Sequence, residues 1–261
     1  MTHAISVIKV GGAILDNQDS LQALLVALYQ AQLPFVLVHG GGSLTDHMLL
    51  QAGFSSEKKD GQRITPESQI NVVTGALAGA ANKQIVAVAQ QAGFSALGLS
   101  LADGPLLYVQ QNPALGRVGE PIADTTEGIG GHILPLLLRQ GILPVVSSIG
   151  IDHQGQLLNV NADYAAAALA NQLSARLILL SDVDAIRDAT GTPLAVLEFH
   201  QARDLLSENF IVGGMKVKLA AALHAAERSR RMTAITGWGN PESVIALLQG
   251  EMRGTCILPA V

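Results

Sequence analysis

Two apolar runs near the N-terminus end in glycines: ISVIKVGGAIL at residues 5–15 and FVLVHGGGSLTD at residues 35–46. Glycine has no Cβ, so its N–H can come close to an oxyanion. A helix starting just after such a turn adds positive potential. Gly11-Gly12 and Gly40-Gly41-Gly42 are therefore candidate anion cradles, although glycines in strand-to-helix turns also serve simply to make the turn. Only Val10 separates Lys9 from the first pair. A lysine at the tip of an apolar strand either snorkels to solvent or delivers its ammonium to an anion. In LLNVNADYAAAALA, residues 157–170, Asn159, Asn161 and Asp163 recur at period two ahead of an Ala-rich helix. Asn161 or Asp163 is expected to cap that helix, but three polar residues exceed what a cap requires. In GGMKVKLAAAL, residues 213–223, Lys216 and Lys218 fall in the first turns of a helix. Cations there oppose the macrodipole, so Lys218 is better explained by an anion than by stability.

The composition says what could carry such groups. The chain has 261 residues, 49% of them hydrophobic, 14% charged and 3% aromatic, which implies a large core of Ala, Leu, Val and Ile. Net charge is −5. No basic stripe suggests nucleic acid, and Arg228, Arg230 and Arg231 read as a solvated helix end. The single Cys256 reads as a core thiol. His39 reads as packed beneath its glycine loop. There is no GxxxxGK[ST] loop and no GxGxxG after the first strand, which argues against P-loop and dinucleotide readings. No basic leader and no run of about 18 uninterrupted apolar residues is present, so no membrane span and a cytoplasmic location are expected.

Strand patterns at 4–10, 35–39, 95–99, 143–147, 177–181, 233–236 and 255–258 alternate with helical ones. The helices are expected at 20–32, 43–52, 129–139, 164–173, 201–208, 215–228 and 242–248. A longer one runs from Pro66 to Ala92, with Thr65 as its cap. Gly75 and Gly79 inside it cost about 1 kcal/mol each against Ala, and close packing against another backbone would be one reason to keep them. Hairpins are expected around Asp60-Gly61, between 106–110 and 117–124, and within 149–163. The class is α/β: an open, mostly parallel central sheet between helix layers, with inserted β-hairpins. Any two-lobed division falls near 174–176.

IKVGG, VHGGG, DGQRIT, NVNAD, LSDVDAI and GGMKVK resemble, in this order and over essentially the whole chain, motifs of the amino acid kinase family. Within it they are similar to those of the enzymes acting on N-acetyl-L-glutamate. The resemblance implies the family's three-layer α/β/α fold and transfer of the γ-phosphoryl of MgATP to a side-chain carboxylate. The product would be N-acetyl-L-glutamyl 5-phosphate, in the second step of arginine biosynthesis. A carboxylate with a pKa near about 4.3 is already ionised, so no general base is required. By the same resemblance Lys9 and Lys218 flank the transferring group, Gly12 and Gly41 donate N–H groups to it, and Asp163 organises the lysines. Gly41, Gly42, Arg63 and Asn159 hold the acetylglutamate, Arg63 as a clamp on its α-carboxylate. Asp182, Val183, Asp184, Ala185, Ile186 and Arg187, with Phe210, Ile211 and Val212, contact the nucleotide. Residues 1–174 would take the amino acid and 175–261 ATP. Mg²⁺ enters with ATP, since no metal-ligand set is visible. The form resembled is the short, arginine-insensitive one, a homodimer through the helix from Pro66. Gln62 and Lys216 depart from the family pattern, Lys216 reading as surface or nucleotide contact. A kinase acting on another carboxylate or carbamate, or a non-catalytic metabolite sensor, remains an alternative.

Overall fold

A computed structural model describes residues 4–59, 61–122 and 128–260. Strand β1 (Ser6–Val10) turns into a short helix α1 (Ala13–Asp16) and then α2 (Gln18–Ala31). The Asn17 side chain caps α2, accepting from the Ser20 N–H at 3.0 Å. The unit repeats with β2 (Phe35–His39) and α3 (Gly42–Gln51), followed by the hairpin β3 (Glu57–Lys59) and β4 (Gln62–Ile64). The long helix spans Glu67–Gln91. It contains α4 (Ile70–Thr74), a π-helical stretch Gly75–Ala81 and α5 (Asn82–Gln91). Next come β5 (Ser95–Ser100), the hairpin β6 (Val109–Asn112) and β7 (Val118–Pro121), α6 (Gly130–Arg139) and β8 (Ile142–Ser147). β9 (Ile149–Ile151), β10 (Leu157–Val160), α7 (Ala162–Gln172), β11 (Arg176–Ser181) and β12 (Val196–Leu197) follow. The chain closes with α8 (Phe199–Leu205), α9 (Gly213–Ser229), β13 (Thr233–Gly237), α10 (Pro241–Gln249) and β14 (Thr255–Ile257).

Among the described residues the main sheet has eight strands in the order β12-β14-β13-β11-β1-β2-β8-β5. From β13 to β5 every neighbouring pair is parallel, while β14 runs antiparallel to β13. Parallel strands need covered faces, and the residues alternate accordingly. Val7, Val36 and Val38 pack with the alanines of α7 and α9; Ile8, Val10, Phe35 and Leu37 pack with α2, α5 and α10. A second sheet, β6-β7-β10-β9, is built from the inserted hairpins. Cys256 is buried in the core, as expected, and burial pushes its thiol pKa up.

One expectation is corrected. Thr65 does not cap the long helix: its N–H donates to Leu115 O at 3.0 Å and the residue bridges Gly116, so sheet-like pairing holds it extended. Pro66 takes the capping position instead. Within this chain Gly75 and Gly79 meet no neighbour: a Cβ at either would point into open space. Asp60 of the first hairpin signal, and Ala123 and Asp124 at the end of the second, lie outside the described residues. The Glu67–Gln91 helix, 25 residues long, has the length and apolarity to cross a bilayer, but one face lies in the core through Ile70, Val73, Leu77, Ile85 and Val88.

Candidate active site

Alternation along β1 explains how Lys9 meets its partners. Val7 and Lys9 share a strand face, and that face looks onto α7 and α9. Runs of buried alanine (Ala165 to Ala168 and Ala170 in α7; Ala221, Ala222, Ala225 and Ala226 in α9) let these two helices approach closely. Asp163 in the first turn of α7 and Lys218 in the second turn of α9 are thereby brought under the strand tip. Lys9 Nζ lies 2.8 Å from Asp163 Oδ1, and Lys218 Nζ lies 3.3 Å from Oδ2. Lys9 and Asp163 are buried, at 7% and 5% exposure. Burial raises the Asp163 pKa, but the two ammonium groups outweigh it and hold the carboxyl below its ordinary value. For Lys218, burial and the nearby Lys9 charge win over Asp163 and lower its pKa. Two cations on one carboxylate leave a surplus positive charge in a partly dry place. An incoming anion relieves that tension.

Lys9 and Asp163 line a cleft of about 230 Å³ with Gly12, Gly41, Gly42, Arg63 and Asn159. Gly12 has φ 60°, a left-handed conformation that favours glycine, directly before α1. Gly41 packs tightly for another reason: a Cβ there would meet Leu77 Cδ2 at 3.1 Å and Ala81 Cβ at 3.2 Å on the π-helical stretch, so both would have to give way slightly. Gly42 opens α3. Asn161, not Asp163, is the α7 cap, accepting from the Asp163 N–H at 2.9 Å. This frees the Asp163 carboxylate for the lysines.

Arg63, on β4, reaches back over the start of α3. It donates to Asp46 and Ser56, and its Nη2 donates to Gly42 O at 3.1 Å. Burial raises the Asp46 pKa, but hydrogen bonds from Arg63, Ser56 and Lys58 outweigh it and lower it to about 2. Asn159 Nδ2 donates to Thr65 Oγ1 at 3.0 Å, tying β10 to the end of the hairpin. Asp46, Ser56 and Lys58 were missed by sequence reasoning. The spacing of Asp46 from Arg63 carries no periodic signal, because the hairpin between them decides that they meet.

The nucleotide-assigned residues lie outside this cleft. Asp182, Val183 and Asp184 form an exposed turn at the carboxyl end of β11, the sheet neighbour of β1. Ile186 is buried with Ile211 in one core cluster, whereas Phe210 and Val212 are exposed. Ala185 is half-buried and Arg187 donates to Gly191 O at 2.8 Å. Lys216 is exposed, and Gln62 lines the cleft beside Arg63.

An open parallel sheet with facing lysines and glycine turns at its carboxyl edge defines a phosphoryl-transfer class of site. The chain belongs to the amino acid kinase family, whose match covers residues 4–237. Among curated proteins it is 46% identical over 255 residues to acetylglutamate kinase of Colwellia psychrerythraea, covering 97% of this chain and 96% of that protein. Acetylglutamate kinase of Moritella profunda is 47% identical over 254 residues, covering 95% and 94%. Among solved structures, N-acetylglutamate synthase from Neisseria gonorrhoeae, complexed with coenzyme A and N-acetyl-glutamate, superposes with a TM-score of 0.81 at 20% identity. That match covers 99% of this chain and 60% of that one. Carbamate kinase from Giardia lamblia bound to AMP-PNP gives 0.73 at 16% identity over the full length of both. At these identities the two structures speak for the fold alone.

Proposed function

We propose that this chain transfers the γ-phosphoryl of ATP to the γ-carboxylate of N-acetyl-L-glutamate, giving N-acetyl-L-glutamyl 5-phosphate in arginine biosynthesis. The observation that carries this reading is the Lys9–Asp163–Lys218 array beside two glycine turns, in a chain so similar to acetylglutamate kinases. The acceptor carboxylate is ionised at neutral pH, so its oxygen attacks the γ-phosphorus without a base while the bond to the β-phosphate oxygen breaks. What the protein supplies is alignment and charge. Lys9 and Lys218 neutralise the transferring group from two sides, and the Gly12 and Gly41 N–H groups donate to its oxygens. Asp163 sets the separation of the lysines. Arg63 clamps the α-carboxylate of the acceptor, with Asn159 and Gly42 completing its seat.

In this reading residues 1–174 take the amino acid, and 175–261 take ATP through 182–187 and 210–212. Mg²⁺ would accompany the nucleotide phosphates and offset part of their negative charge. A cytoplasmic setting suits a reaction fed by ATP. A homodimer through the Glu67–Gln91 helix is supported by two features: the helix is only partly buried within the chain, and Gly75 and Gly79 stand open.

Hydroxylamine trapping tests the reaction. Protein with MgATP and hydroxylamine should yield ferric-coloured hydroxamate with N-acetyl-L-glutamate and none with L-glutamate or L-aspartate. Colour with another acceptor moves the substrate and keeps the mechanism. No colour with any acceptor, from folded protein that binds ATP, overturns the assignment.

A further inference from the structure

Period-two alternation along β2 puts His39 on the face of Phe35 and Leu37, toward the α2 and α5 layer. The imidazole is fully buried. Its Nδ1 lies 2.7 Å from Gly40 O, and its Nε2 lies 3.0 Å from Asn82 Nδ2. A carbonyl only accepts and an amide nitrogen only donates, so the ring is neutral, with Nδ1–H donating and Nε2 accepting. Asn82 is itself pinned. Its Nδ2 also lies 2.9 Å from Val145 O and 3.2 Å from Leu99 O, so its two hydrogens are shared among three acceptors, and its Oδ1 accepts from Lys83 at 3.0 Å. Asn82 opens α5 directly after the π-helical stretch whose Leu77 and Ala81 back Gly41.

The peptide between Gly40 and Gly41 is planar and trans, so its C=O and N–H point in opposite directions. Gripping the Gly40 carbonyl from beneath therefore aims the Gly41 N–H away from the core, into the cleft that Gly40, Gly41 and Gly42 line. We infer that His39, held by Asn82, is the positioning residue that aims the Gly41 N–H at the transferring phosphoryl group. The inference rests on the kinase reading of the glycine loop. The arrangement resists protonation: burial, with the Lys83 charge on α5 and the Lys9 charge on the other face of the sheet, lowers its pKa to about 4, against the opposing bond to Gly40.

Two amide variants, each replacing one ring nitrogen, separate aiming from mere packing. His39→Asn keeps a donor beside Gly40 O, while His39→Gln keeps the reach of Nε2 and loses that donor. A donor that acts in the transition state shows in kcat rather than KM. We expect kcat at least tenfold lower in His39→Gln, with KM for both substrates within about threefold, and kcat within about threefold of the parent in His39→Asn. Equal kcat in the two folded variants overturns the inference. A second readout needs no variant and no activity: ¹⁵N NMR of the histidine rings in the intact protein. A neutral, Nδ1-protonated His39 from pH 5 to 8 is the expected result, and an Nε2-protonated or doubly protonated ring overturns it. Absence of hydroxamate from the parent protein would sink the kinase reading instead, leaving the ring measurement to stand by itself.

Discussion

Three charges in contact, two positive and one negative, define the centre at the scale of single residues. Lys9 and Lys218 were visible in the sequence because each is a cation where stability alone would not put one: a buried strand tip and a helix start. Asp46 was not visible, since nothing distinguishes it from any surface carboxylate on a helix until the hairpin folds Arg63 onto it. On the proposed mechanism Lys9→Ala removes a donor to the transferring phosphoryl group, and loss of one such donor costs about 10²–10³-fold in turnover. The fold should survive, because Asp163 keeps Lys218 as a partner. Melting within roughly ten degrees of the parent, with hydroxamate formation down by that factor, is the expected pair of results. Near-parental activity would show that Lys9 only neutralises Asp163.

At the scale of elements, strand alternation and the small residues of helices do the positioning. β1 sends Lys9 to one layer and β2 sends His39 to the other. Alanine on α7 and α9 allows the approach that joins Asp163 to Lys218. The long helix was legible as a helix but not in its detail: its π-helical stretch, where Leu77 and Ala81 back the glycine loop, leaves no periodic trace that a glycine-rich run would reveal. Its open glycines lead to a prediction. If a second copy covers Gly75 and Gly79, the parent should sediment at twice the 27.2 kDa chain mass, and Gly79→Leu should sediment as the single chain. On a face without a partner, replacing glycine with a better helix former would raise the melting temperature and leave sedimentation unchanged. That second result, or a monomeric parent, removes the homodimer.

For the whole molecule, the buried neutral histidine ties stability to acid. The His39 pKa is 6.5 in the unfolded chain and about 4 in the folded one. A lowered pKa means that the unfolded chain takes up the proton first. The His39 contribution is thus complete above pH 6.5 and declines as pH falls to about 4, by roughly 3 kcal/mol in all. Asp163 and Asp46, both lowered from 3.8, act in a separate window: their contribution is present above that value and is lost as pH falls through their folded values. Melting temperature against pH should therefore begin to drop near 6.5, and His39→Asn should flatten the limb between 6.5 and 4. An unchanged slope in the variant would assign that limb to other groups. The sequence by itself determined the alternation of strands and helices, the parallel sheet and the two glycine turns, because periodicity and glycine placement are local properties of the chain. Only the tertiary structure decided which oxygen of Asp163 each lysine takes, that Asp46 holds Arg63, and that His39 grips Gly40 from below. Those contacts join residues 17 to 154 positions apart or lie beneath a loop, and burial and chain crossing, not sequence spacing, bring them together.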